Sequence, residues 1–190
     1  SSGNKIHKAR ETAYARKVDT ALREVLTGSD LPLILAASQP MAALFRSVNT
    51  YPHLVAEREH GNPETTTDAE LADAARAILD DFYADQLAEL AVLFDERRSQ
   101  GRTAVDVSDV ARLATLGAVD TVLVDIDASV PGSIDEAGAV TFDEVDDAIN
   151  YGVTDEIARR VLLAGGRVLA VRAGDIPDGG PTAAILRYVL

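Results

Sequence analysis

The sequence predicts an α/β fold: a three-layer α/β/α domain over residues 67–190, preceded by a smaller helix, strand, helix unit over residues 1–66. Three observations support this prediction. Apolar residues recur at three- and four-residue steps in several segments, which is typical of amphipathic helices. Short apolar runs of strand length separate those segments. With 47% of its 190 residues apolar, the chain also has enough material for a hydrophobic core.

The first unit contains two helical patterns. Apolar side chains at helical spacing predict a helix over 7–26 that Gly28 ends, and a second helix over 39–49. The apolar run 31–37 between them predicts a strand, and 54–58 predicts one more short strand.

The second unit begins after a polar connector at 61–66. Thr67, followed three residues later by Glu70, is a capping-box pattern, and the helix behind it is predicted to end near Ser99. A helix over 108–113, which Ser108 caps and Gly117 ends, is predicted next, followed by a buried strand over 119–126. A hairpin of 130–134 and 139–142 around the turn 135–138 comes after it. The last predicted elements are a helix over 154–163, which Gly165 and Gly166 end, and strands over 167–171 and 183–190.

Charge is distributed unevenly along the chain. Residues 1–27 carry a net charge of +3, and residues 28–190 carry −16, which gives the total of −13. Because nucleic-acid affinity depends on cations that neutralise phosphates, we expect the acidic part to bind RNA poorly. The chain has no cysteine and no apolar run long enough to span a membrane, so we expect a cytoplasmic setting. The opening Ser1-Ser2-Gly3 lacks methionine, which predicts a cloning remnant or the cut end of a longer product.

Motifs that support catalysis on their own are missing. No Walker loop and no Gly-x-Ser-x-Gly elbow occurs, so nucleotide hydrolysis and serine hydrolase chemistry have no sequence support. Gly165 and Gly166 lie between a helix and a strand, whereas a dinucleotide-binding turn needs its glycines between a strand and a helix. We therefore predict no catalytic residue, no cofactor-binding residue and no enzyme activity for this chain.

Metal binding is not predicted either. The three histidines are His7, His53 and His60, and the seven-residue gap between the last two, which holds Glu57 and Glu59, is not a zinc-site spacing. An acidic stretch lacks the spacing of a calcium loop and is interpreted as a solvated edge. Its carboxylates are Asp135, Glu136, Asp143, Glu144, Asp146 and Asp147.

Three stretches together resemble the C-terminal domain of the archaeal and eukaryotic class-1 peptide chain release factors, and most closely the bacterial proteins related to them. Residues 113–124 read LATLGAVDTVLV, residues 163–168 read LAGGRV, and residues 182–188 read TAAILRY. The segment before residue 67 is similar to the last part of the middle domain of the bacterial relatives. The resemblance implies a fold shared with kink-turn-binding ribosomal proteins.

In release factors the middle domain carries a Gly-Gly-Gln loop, but this chain has only Gly165-Gly166-Arg167 and Gly179-Gly180-Pro181. The catalytic role and the reading of stop codons are therefore not carried over to any residue here. The resemblance implies a translational GTPase or another ribosome-associated factor as the partner of the C-terminal domain.

The leading hypothesis is a non-catalytic, protein-docking part of a bacterial release-factor-like or ribosome-rescue-like protein. Two alternatives stay open: an RNA-binding module, favoured by the fold and the basic first helix, and the accessory domain of a hydrolase whose catalytic part lies upstream.

Two residue-level expectations follow. Arg187 lies in an apolar terminal strand, so we expect its guanidinium to reach water or to pair with Asp125 or Asp127. We also expect weak, nonspecific RNA binding to which only the first helix contributes, through Lys5, Lys8, Arg10, Arg16 and Lys17.

Overall fold

The computed structural model describes the backbone of residues 2–55, 65–144 and 152–189. Its helices are α1 (Ser2–Leu26), α2 (Met41–Val48), α3 (Asp68–Ser99), α4 (Val107–Thr115) and α5 (Val153–Leu163). Its strands are β1 (Thr103–Ala104), β2 (Val119–Asp125), β3 (Gly132–Ile134), β4 (Val140–Phe142), β5 (Arg167–Val171) and β6 (Thr182–Leu186). Two short 3₁₀ turns, Ala173–Asp175 and Pro177–Gly179, connect β5 to β6.

The chain divides into two compact units, Ser1–Asp85 and Gln86–Leu190, and the division falls inside α3. The domain boundary predicted at residues 66 and 67 lies where that helix begins and stays a prediction. Among the described residues, no helix is both long enough and apolar enough to span a membrane.

In the first unit, the two predicted helices are present as α1 and α2, which pack together. The carboxylate of Asp19, buried on α1, accepts hydrogen bonds from the backbone N–H and the hydroxyl of Thr50 at 2.9 and 2.8 Å. These two bonds satisfy a charge that would otherwise be costly to bury. They fix the chain that follows α2 against α1.

The predicted strand at 31–37 is wrong: the segment contains one isolated bridge, between Leu33 and Leu54. Pro32 has no N–H to donate to a neighbouring strand. The Tyr51 hydroxyl donates to the oxygen of Leu31 at 2.7 Å. This carbonyl therefore bonds to a side chain and not to the backbone of a neighbouring strand. The strand predicted at 54–58 is reduced to Leu54, and residues 56–58 lie outside the described residues.

The capping box at the start of α3 is confirmed. The Thr67 N–H and hydroxyl both donate to Glu70 Oε2 at 2.8 Å, and the Glu70 N–H donates to Thr67 Oγ1 at 3.3 Å. The backbone hydrogen bond from Thr67, followed by the one from its hydroxyl, lowers the pKa of Glu70. Helix α3 then ends at Ser99, as the apolar spacing predicts.

The second unit is a three-layer α/β/α arrangement, as predicted. Its sheet has the order β1-β6-β2-β5, in which β2 and β5 are parallel and β6 is antiparallel to β2. On one face, α4 and α5 cover residues such as Val122 and Ala184. On the other face, Phe94 of α3 packs with Leu123 and Ile185. The three long predicted strands therefore share one sheet.

Details of the second unit differ from the prediction in three places. The strand predicted over 183–190 ends at Leu186, so Arg187 follows the strand and is not part of it. Asp106, and not Ser108, caps α4: its carboxylate accepts from the N–H groups of Ser108 and Asp109. The carboxylate lies two residues further upstream and can reach both free amides, which a hydroxyl at the first turn cannot do. Strand β1, which has two residues, was not predicted because so short a segment has no recognisable period. The predicted hairpin is present as β3 and β4.

Candidate docking surface

The parallel strands β2 and β5 each follow a helix, and these two helices end with the same motif. At the end of α4, the Gly117 N–H donates to the oxygen of Ala114, and the Ala118 N–H donates to the oxygen of Leu113, both at 3.0 Å. Gly117 has φ +68°, a backbone conformation that glycine adopts without strain. This pair of bonds is the Schellman ending, which turns the chain sharply from α4 into β2.

Helix α5 repeats that ending. Gly165, with φ +72°, donates to Leu162 at 3.0 Å, and Gly166 donates to Val161 at 2.8 Å. A Cβ atom at Gly166 would lie 2.7 Å from Val161 Cγ1 and 2.9 Å from the oxygen of Val119. The close approach of the α5 terminus to β2 therefore requires glycine at position 166.

A groove of about 510 Å³ lies between the C-terminal ends of α4 and α5. Leu116 and Leu163 line this groove, and they are 56% and 74% exposed, respectively. Leu162, beside them in sequence, is 60% exposed. Leucine side chains that converge on one groove form an apolar patch, which marks an interaction site more often than scattered apolar residues do.

Arg187 lies at the edge of this region. Its N–H donates to the oxygen of Ala118 at 2.9 Å, and its Nη2 donates to the oxygen of Ala164 at 2.9 Å. Of the two outcomes expected for its guanidinium, a pair with Asp125 or Asp127 is not found, and the half-buried Arg187 bonds to the Ala164 carbonyl instead. Because β6 runs antiparallel to β2, residue 187 lies beside the start of β2, and Asp125 lies at its other end.

Charged side chains form one wall of the groove. Glu156 accepts from Arg159 Nε and from Arg160 Nε, both at 2.7 Å. Hydrogen bonding from Arg159, together with that from Arg160, lowers the pKa of Glu156 to about 2, although its partial burial acts in the opposite direction. Arg159 stays 60% exposed, so one face of its guanidinium is open to solvent beside the leucines.

Arg160, in contrast, has a structural role. Its Nη1 donates to Thr115 Oγ1 at 2.6 Å and to the oxygen of Asp135 at 2.9 Å, and its Nη2 donates to the oxygen of Ile134 at 2.9 Å. It therefore ties α5 to the end of α4 and to the β3–β4 hairpin. The Thr115 hydroxyl donates in turn to the oxygen of Ala111 at 2.8 Å.

The two described histidines, His7 and His53, have different partners. His7 contacts Glu11 at 3.1 Å on α1, and His53 lies 3.5 Å from the Asp30 carboxylate with its ring edge-on to Tyr51. His60 lies outside the described residues. Within residues 2–55, 65–144 and 152–189, no three His, Asp or Glu side chains are grouped as a metal site.

The acidic stretch has separate local roles. Asp135 Oδ1 accepts from the N–H groups of Ala137 and Ala139, which closes the hairpin turn, and Glu136 lines the groove. Asp143 and Glu144 are exposed. Asp146 and Asp147 lie outside the described residues.

The three stretches that carry the family resemblance meet at this end of the sheet. Residues 113–117 end α4, residues 163–166 end α5, and Arg187 follows β6. Sequence reasoning identified the stretches but not the exposed leucines within them. Helical spacing alone does not show which side chains a neighbouring element leaves uncovered. The sequence did contain one signal for these leucines: apolar residues stand just before the glycine that ends each helix.

The comparisons with known proteins agree with this structure. Residues 1–85 match the family model of the bacterial archaeo-eukaryotic release factor family 11. No curated protein sequence matches the chain. The matched range also coincides with the first compact unit.

Two solved structures share the fold. The C-terminal domain of the peptide chain release factor from Methanosarcina mazei superposes with a TM-score of 0.51 and 18% identity, covering 66% of this chain and 98% of that one. A chain of the model of ribosome-bound archaeal Pelota and ABCE1 superposes with a TM-score of 0.58 and 17% identity, covering 94% of this chain. Only 49% of that archaeal chain is covered, so the present chain spans about half its length. Residues 1–85 are thus similar to the bacterial archaeo-eukaryotic release factor family 11, and the chain has the α/β fold of the release-factor C-terminal domain.

Proposed function

We propose that this chain is a non-catalytic, protein-docking part of a bacterial release-factor-like or ribosome-rescue-like translation protein, and that it acts in the cytoplasm. The observation that carries the proposal is the groove between the ends of α4 and α5, where Leu116 and Leu163 are exposed beside Arg159. Leucines alone do not distinguish an interface from the rest of a surface, but an apolar patch rimmed by arginine is typical of one.

The kind of partner is a protein of the translation machinery, namely a translational GTPase or a ribosome-associated factor. The archaeal structure with the same fold is described as ribosome-bound Pelota with ABCE1, which supports this class of partner. The charge of −16 on residues 28–190 disfavours RNA at this surface and favours a protein. The rigid helix endings hold the leucines in place before binding, so little ordering entropy is lost.

The test measures the affinity of the chain for purified bacterial translational GTPases bound to a nonhydrolysable GTP analogue, and for ribosomes by cosedimentation. Leu163→Asp and Leu116→Asp are compared with Ile126→Asp. Ile126 is 66% exposed and follows β2 at the end opposite to the groove. The control therefore introduces the same charge on the same domain away from the groove.

We expect the first two variants to weaken binding by about tenfold or more, because each removes an apolar contact and places a carboxylate in the interface. We expect Ile126→Asp to bind as the unchanged chain does. If none of these proteins binds, or if all three variants weaken binding equally, the docking function is wrong.

A further inference from the structure

Helix α1 presents an unusual surface to solvent. Ala15 and Asp19 are its buried side chains, and they define the face that packs on the first unit. Arg10, Tyr14 and Lys17 follow the i, i+4, i+7 spacing and therefore lie along the opposite side of the helix. All three are exposed, and the residue Tyr14 is 63% exposed.

Four cations of α1 are unpaired in the described part of the chain: none of Lys8, Arg10, Arg16 and Lys17 has a carboxylate within ion-pair distance. Five arginines elsewhere do pair, as in Arg76 with Asp73, Arg98 with Asp178, Arg112 with Asp109, and Arg159 and Arg160 with Glu156, whereas others in that part of the chain, such as Arg172, do not.

The anions of α1 do not neutralise this surface. Asp19 is buried and bound by Thr50, and Glu11 lies 3.1 Å from His7. Glu24 is the remaining carboxylate of the helix, and it lies two turns beyond Lys17. The helix segment that bears Arg10, Tyr14 and Lys17 therefore keeps its positive charge.

We infer that the outward stripe of α1, formed by Arg10, Tyr14 and Lys17, is an RNA-contact surface. Arginine and lysine about 10 Å apart along the helix axis supply cations for two phosphates. The tyrosine between them offers a flat ring on which an unpaired base can stack. A polyanion is the partner that this charge complements, and the inference is independent of the groove in the second unit.

Other occupants fit less well. A second protein segment packed on this stripe would have to desolvate Arg10 and Lys17, which is costly without carboxylate partners. A membrane surface would require a broad apolar face opposite the cations, whereas the outward stripe carries cations and Tyr14 together. The net charge of −16 on residues 28–190 opposes RNA binding and limits the affinity, and added salt screens this repulsion.

The experiment titrates the full chain into a fluorescently labelled RNA hairpin with a single-stranded loop, at several salt concentrations, and follows the anisotropy. The variant Arg10→Gln/Lys17→Gln is compared with Arg76→Gln/Arg172→Gln. Both double variants lower the net charge by the same amount, and all four arginine and lysine residues are exposed. A third variant, Tyr14→Ala, is tested on the hairpin and on a fully paired duplex. Vesicles with 30% phosphatidylserine provide the membrane arm.

We expect salt-dependent binding to the hairpin that Arg10→Gln/Lys17→Gln weakens about tenfold, with a salt slope smaller by about 1.4, as two lost phosphate contacts require. We expect the control variant to bind almost as the unchanged chain does. Tyr14→Ala should weaken binding to the loop by about tenfold and leave the duplex almost unaffected. The inference is overturned if the unchanged chain does not bind RNA at 50 mM salt, if both double variants lose equal affinity, or if the vesicles are bound more tightly than the hairpin.

Discussion

Arg187 and Ala164 are joined by a hydrogen bond of 2.9 Å from the guanidinium to the backbone oxygen at the end of α5. Ala164 is the C-cap residue of that helix, where carbonyl groups lack intrahelical donors. A cation at this end also complements the helix dipole. The bond connects the residue that follows β6 to the helix that precedes β5, so one side chain fixes two of the three stretches that meet beside the groove.

Replacing Arg187 tests this connection. We expect Arg187→Met to lower the free energy of unfolding by about 1–2 kcal/mol, because the Ala164 carbonyl loses its charged donor and the side-chain length is kept. Arg187→Lys should lose less, since an ammonium group can still interact with the helix end. Urea unfolding followed by circular dichroism measures both. Equal stability of Arg187→Met and the unchanged chain would show that the bond contributes nothing.

Gly166 should tolerate no side chain. We expect Gly166→Ala to destabilise the second unit by about 2–3 kcal/mol, because its Cβ would meet the Val119 and Asp120 oxygens at 2.9 and 3.1 Å, and backbone atoms cannot move aside. Gly165 is the matched control, since it has φ +72° and no atom within 4 Å of its added Cβ. We expect Gly165→Asn to lower the free energy of unfolding by about 1 kcal/mol, because asparagine tolerates this conformation. A thermal melt that ranks the two variants in the opposite order would contradict the packing described here.

The low pKa of Glu156 makes part of the stability depend on pH. Its folded pKa of about 2 lies below the ordinary 4.5, so the paired carboxylate stabilises the fold above about pH 4.5, and this contribution is lost as the pH falls towards 2. We expect Glu156→Gln to be less stable than the unchanged chain at pH 6, by about 1 kcal/mol after allowance for solvent screening, and the difference to shrink at pH 3. Glu89→Gln, on an exposed helix position, should show no such pH-dependent difference. Urea titrations at the two pH values measure it, and a difference that grows on acidification would reverse the sign of this prediction.

Arg160 should hold the β3–β4 hairpin. Arg160→Met removes the donors to Thr115, Ile134 and Asp135, although the Asp135 oxygen keeps the N–H of Gly138 as a donor at 3.1 Å. We expect a loss of about 2–4 kcal/mol in stability and faster amide hydrogen exchange in 132–142 than in β2. Arg159→Met, which removes only an exposed partner of Glu156, should leave exchange in the hairpin unchanged. Unchanged exchange in Arg160→Met would mean that the hairpin is held by other contacts.

The sequence was sufficient for elements whose signals are local. The capping box of Thr67 and Glu70, the glycines that end α4 and α5, and the apolar run of β2 all depend on residues close in the chain. Residues 31–37 show the limit of such signals. An apolar run predicts a strand, but Pro32 removes one donor and the distant Tyr51 hydroxyl takes the carbonyl of Leu31.

The candidate site was predictable only in pieces. Leu116, Leu163 and Arg187 are far apart in the sequence. The parallel pairing of β2 with β5 brings the ends of α4 and α5 together, and the antiparallel register of β6 with β2 places Arg187 beside the start of β2. The same register explains why Asp125 was the wrong partner for Arg187. Exposure of the two leucines depends on which neighbours cover them, and this is a property of the folded chain.

Hydrogen–deuterium exchange of the chain with and without a bound translational GTPase tests the docking surface most directly. We expect slower exchange on binding at the amides of 113–118 and 161–166, which surround the groove, and no change at the far end of β2 near Ile126. Protection confined to other segments, with the amides beside Leu116 and Leu163 exchanging as in the free chain, would show that the groove is not the docking surface.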